Sequence, residues 1–162
     1  MATARLILLR LSEIVAVVGG LVLVAAMLVT VASVTMARFG RPILGDTEIV
    51  SLAAGIAIAL FLPYCQMRGS HVVVGIFTDR LPARAKATLE AVMAVAVAVV
   101  VAVLAWRLMQ GGLDAYTRGR ASMFLGLPQW WGFAGAAVGL GLWTLTAVFA
   151  AAERVRLALA RP

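Results

Sequence analysis

The stretch AVMAVAVAVVVAVLAW (Ala91–Trp106) alternates alanine and valine almost residue by residue. In water, a period of two reads as a strand half-buried on a sheet. The flanking sequence removes that reading. The apolar run extends to Leu113, broken only by Arg107, which at about 1.5 Å per residue crosses a hydrocarbon core about 30 Å thick. A lone strand leaves its backbone N–H and C=O groups unsatisfied in lipid, whereas a helix bonds them internally. Length outranks periodicity, and the stretch reads as a transmembrane helix.

Three more runs have the same character on either side. Ile14–Ala37 and Ile49–Met67 carry no charge, and neither does Ala121–Ala152, where Pro128 suits a first helical turn. The expected spans are 14–37, 49–67, 88–112 and 128–152, in one membrane domain covering 1–162. The fold class is all-α integral membrane with four transmembrane helices. Composition agrees: 64% of residues are hydrophobic and 13% charged, against about 45–50% and about 25% in soluble domains. The run after Glu13 exceeds the 7–15 residues, roughly, of a signal-peptide core, so it reads as a retained first helix. Cys65 is the only cysteine, which rules out an internal disulfide.

Charge sets the expected orientation. With the N-terminus cytoplasmic, inner segments hold Arg5, Arg10, Arg68, Arg80, Arg84, Lys86, Arg154, Arg156 and Arg161. Outer loops then hold Arg38, Arg41, Arg107, Arg118 and Arg120, as the positive-inside rule prefers. Both termini are cytoplasmic on this reading. Trp106, Trp130 and Trp131 fall at the outer headgroup level, where indole rings are favoured. The net charge of +7 sits at helix ends without an aromatic-interleaved basic stripe, which argues against nucleic acid. Between helices 2 and 3, VVVGIF followed by TDRLPAR suggests a short segment lying along the cytoplasmic interface.

Few residues invite chemistry. An ionisable group at mid-membrane is a functional candidate because burying it is costly. Glu13, Glu48, Glu90 and Arg107 all lie within about two turns of a helix end, where interface anchoring explains them. His71, the only histidine, has no second ligand at metal-binding spacing. In MRGSHVVVGIF (67–77) it falls just past helix 2, suited to bonding helix-end carbonyls. No phosphate-cradling glycine loop appears. The expectation is a non-enzyme without cofactor, metal, or substrate and ion site of its own.

Small residues recur at four-residue spacing: Ser51, Gly55 and Ala59; Ala94, Ala98 and Ala102; Gly135 and Gly139. Such rows let helix backbones approach closely in lipid. Packing within a four-helix bundle is the first reading, and a docking face for a larger membrane partner the second. Before helix 2, RFGRPILGDTEI places Asp46 and Glu48 near the positive end of the helix dipole, with Asp46 or Thr47 as the cap. Arg41 is left unexplained by that account.

GRPILGDTEIVSLAAG (40–55), QMRGSHVVV (66–74) and GRASMFLGLPQWWGF (119–133), in this order, resemble the small membrane subunit, a DctQ-type small permease, of tripartite ATP-independent periplasmic (TRAP) transporters. The matching positions are Arg41, Gly45 and Glu48; Gly69 and His71; and Gly119, Ser122, Leu127, Pro128 and Trp130. The resemblance implies a scaffold in a sodium-coupled organic-acid uptake system of the bacterial inner membrane. Its partners would be a large elevator-type membrane subunit, a periplasmic binding protein and membrane lipids. Arg38, Arg41, Asp46, Glu48, Arg118 and Arg120 would face the binding protein. Gly69, His71, Pro128 and Trp130 would be structural. The rival reading is a self-sufficient proton-coupled exporter relying on Glu13; a haem- or quinone-binding protein fits less well, with one histidine.

Overall fold

The computed structural model describes residues 2–40, 43–68 and 83–160. They form four helices, α1 (Ala2–Arg38), α2 (Asp46–Met67), α3 (Ala83–Thr117) and α4 (Trp130–Ala160). Each is long and apolar enough to cross a membrane. The interfacial segment expected between helices 2 and 3, with Gly69 and His71, lies outside the described residues, as does Arg41.

The helices overrun the expected spans. The 37 residues of α1 extend about 55 Å, well beyond a hydrocarbon core of about 30 Å. Lipid thickness sets how long the apolar run must be, but backbone hydrogen bonding carries the helix on until something breaks it. For α3 the breaker is Gly119, at φ +60°. The Gly119 N–H donates to the Tyr116 carbonyl (3.2 Å) and the Arg120 N–H to that of Ala115 (3.0 Å), a Schellman closure. In contrast, α4 starts at Trp130 and not Pro128. Pro128 is held extended in an antiparallel bridge with Ala121, and its carbonyl accepts only the first turn's Trp131 N–H.

The interior is inverted relative to a water-soluble protein. Buried positions are mostly alanine with serine and threonine, while Leu21, Met27, Val100 and Val138 face outward. In lipid there is no hydrophobic drive between helices, so close backbone approach decides what goes inside. Several helix hydroxyls are satisfied locally: Thr30, Ser51 and Thr144 each donate to the carbonyl four residues earlier, whereas the buried Ser12 hydroxyl has no protein partner.

Contacts place the helices in the order α1–α2–α4–α3, with α1 touching α4 only slightly. This corrects the expected four-helix bundle: the array is an open row, with α1 and α3 at its edges. Each seam is built from small side chains. On α1, Ser12, Gly19, Ala26 and Ser33 are buried at seven-residue intervals, and Gly19 meets Ala57 and Leu60 of α2. On α3, the shielded line is Ala91, Ala94, Ala98, Val101, Ala105, Leu108, Gly112 and Ala115. That three-four alternation is a coiled-coil seam facing α4. It is held at one end by Glu90–Arg154 (2.9 Å) and lined by Ala98, Ala147 and Ala151.

The central seam, α2 on α4, is the tightest. A Cβ at Gly135 would sit 2.8 Å from Ile56 Cδ1. One at Gly139 would overlap the Ala59 carbonyl and lie 2.8 Å from the Leu60 nitrogen. Pro63, buried inside α2, has no N–H to offer that same carbonyl. The Gly139 Cα therefore lies against the acceptor that the proline leaves without its usual donor, a place suited to a weak C–H···O contact.

Candidate functional site

Among the described residues, the end of the row formed by residues 43–48 and 118–130 is the most elaborately organised. Gly45 takes a left-handed φ of +89° just ahead of α2, and its missing side chain makes room for Leu125, whose Cγ would be 2.6 Å from a Cβ there. Neither Asp46 nor Thr47 caps the helix. Gly45 occupies the cap position without a side-chain bond, and the Asp46 carboxylate accepts from its neighbour, the Thr47 N–H (2.7 Å). The expected cap is replaced because a glycine was needed at that position for the loop to come close.

Glu48 has a different partner altogether. Its Oε1 accepts from the N–H groups of Met123 (2.7 Å) and Phe124 (2.9 Å), and its Oε2 from that of Leu125 (3.1 Å). Three successive amides around one carboxylate form a nest, an arrangement suited to an anion. The loop is closed behind them: the Ser122 N–H donates to the Leu127 carbonyl (2.9 Å), and the Leu127 N–H returns to Ser122 Oγ (3.0 Å). Glu48 thus clasps the α3–α4 connection onto the start of α2, leaving Met123 and Phe124 exposed at the tip.

The expected docking arginines divide. Arg38 ends α1 in an exposed position. Arg118 and Arg120 converge on Asp114, at 2.5 Å and 3.2 Å, an acid the sequence reading did not single out. Beside them Trp130 stands edge-on to Tyr116 at 5.7 Å and to Trp131 at 6.2 Å between ring centres.

Below the clasp, the row leaves a groove of about 700 Å³. Ser51, Gly55, Ile58 and Leu62 of α2 form one wall, Gly132, Ala136 and Leu140 of α4 the floor, and Leu108 of α3 the other side. Met123 overhangs the end nearest the loops. The small-residue rows accordingly split in use. Gly135, Gly139 and Ala59 are spent on the α2–α4 seam, while nothing lies within 4 Å of a Cβ at Gly55. Among the described residues no group of three or more metal-ligating side chains forms.

Residues 26–157 match the family model described as Tripartite ATP-independent periplasmic transporters, DctQ component. The chain belongs to that family. It is thus a small membrane component of a TRAP transporter, of a family of transporter components and not of known enzymes. No curated protein sequence and no solved structure matches it.

Proposed function

We propose that the chain is the stationary scaffold of a sodium-coupled TRAP uptake system for organic acids in the bacterial inner membrane. It braces the large elevator-type subunit and helps the periplasmic binding protein dock. The observation that carries this reading is the open groove along α2. A face of Ser51 and Gly55, with Ala59 at its base, is small enough for another helix to approach closely, and none of the four described helices covers it. No acid or base falls in the middle of any span, so coupling-ion and substrate sites are assigned to the large subunit.

On this reading the loop end faces the periplasm. Arg38, Arg41, Arg118 and Arg120 supply the charge, with Asp46 at the same rim. Glu48 contributes by shaping the 122–127 loop and Gly69, His71, Pro128 and Trp130 by supporting the turns at both ends. Proteoliposomes holding the large subunit, with binding protein and a sodium gradient, test the assignment. Uptake is expected only when this chain is co-reconstituted; equal uptake without it would overturn the proposal.

A further inference from the structure

The edge helix α3 carries a charge on its outward face. Arg107 is exposed there, while Ala105, Leu108 and Gly112 beside it belong to the line shielded by α4. The helix runs on to Thr117, so Arg107 lies about 15 Å inside its end, deeper than a span ending at 112 would place it. Packing of Phe133 against Gly112 sets Arg107 about 12 Å below the level of Trp130, within the hydrocarbon though short of its middle. A cation at that depth is costly unless something pairs with it.

The chain itself supplies little. The Arg107 guanidinium carbon lies 5.4 Å from the centre of the Trp106 ring, which occupies one face of the cation. Its five N–H donors lie in the guanidinium plane, and no acceptor among the described residues meets them. The Gln110 side chain, three residues on and also exposed, has no hydrogen-bond partner among them either. Reaching the headgroups at the loop end runs against the geometry, because Cα–Cβ bonds tilt toward a helix N-terminus, which for α3 is the opposite end. A second copy offers no acid at this depth. The 14–37, 49–67 and 121–152 stretches are uncharged, and Glu90 and Asp114 of α3 lie about 25 Å and 10 Å away along the helix.

We propose that Arg107, with Gln110 beside it, receives a carboxylate side chain from a membrane-spanning helix of the large subunit packed on the outward face of α3. The choice of partner rests on the scaffold reading above. Leu108 forms the α3 side of the groove and Arg107 adjoins it, so one partner can continue from the groove around α3.

Titration of the purified full-length chain against the purified large subunit in detergent tests this, alongside melting of the isolated chain. Arg107→Gln should raise the dissociation constant roughly thirtyfold or more, the effect of leaving a desolvated carboxylate unpaired. Arg107→Lys keeps the charge without the fork and should fall between. The isolated chain should melt at the same temperature with Arg107→Gln as without it. A complex indifferent to Arg107→Gln would overturn this inference, and leaves the scaffold reading standing where Gly55→Leu still disrupts the complex. No binding by the native chain would overturn both. A lower melting temperature of the isolated Arg107→Gln chain would make Arg107 a support of the fold instead. Reduced phosphatidylglycerol retention with an unaltered complex would give the site to a lipid; either result overturns the proposal.

Discussion

Two faces of α2 carry small residues, and they have opposite fates. Toward α4, Ala59 meets Gly139 with backbone against backbone. Only a few positions away, Ser51 and Gly55 line the groove, and nothing lies within 4 Å of a Cβ at Gly55. In the sequence the two belong to one row at one spacing. Small-residue spacing therefore reports that close approach is possible, and does not say whether the approaching helix belongs to the same chain. On the proposed function, the difference is that between a seam needed for folding and a face left for assembly.

The largest effect should come from testing both with the same side chain. Gly139→Leu forces a branched group into the Ala59 carbonyl, which backbone cannot evade, and should cost about 3 kcal/mol or more. A lower melting temperature and poor yield of the isolated chain in detergent would report it. Gly55→Leu should leave that melting temperature unchanged or slightly higher, because leucine is favoured over glycine in a helix by up to about 1 kcal/mol. Its cost should appear instead as lost co-purification with the large subunit. Equal damage to the isolated chain by both substitutions would erase the distinction between the faces.

A smaller effect is expected at the clasp. Glu48→Gln keeps one acceptor oxygen but removes the charge, so the hydrogen bonds to the 123–125 amides weaken. Hydrogen exchange at these amides should rise several-fold while the helices keep their protection. The change should also loosen docking of the large subunit, since Met123 overhangs the groove. Unchanged exchange at 123–125 would mean that the nest is not held by this carboxylate.

The sequence makes the spans legible because lipid demands about 20 apolar residues with almost no charge. Even the alternating Ala91–Trp106 run could be placed by that argument. Its α4-facing line was hidden by the alternation, although Ala91, Ala94, Ala98 and Val101 already have the three-four spacing of a seam. The line of Ser12, Gly19, Ala26 and Ser33 is inconspicuous for a similar reason: it repeats every seven residues and not every four. Glu48 was recognisable as a motif residue, but its partners lie more than seventy positions away. Proximity to a helix N-terminus offered a complete local explanation, and no local pattern points to the nest. The open row was equally hidden, since every helix has faces suited to packing and the sequence does not say how many are used.

Asp114 offers the smallest and most selective test, because it separates the stability of the loop end from its charge. It holds Arg118 and Arg120 at the surface, where its side chain is 40% exposed. Exposed pairs of this kind contribute at most about 1 kcal/mol, so Asp114→Asn should hardly move the melting temperature. Yet it removes a negative charge from beside two arginines, raising the local positive potential. If those arginines meet a complementary acidic surface on the binding protein, association should become faster at low salt, and the gain should fade as salt is added. An association rate indifferent to both the substitution and the salt would leave Arg118 and Arg120 as supports of the α3 terminus and take them out of the docking surface.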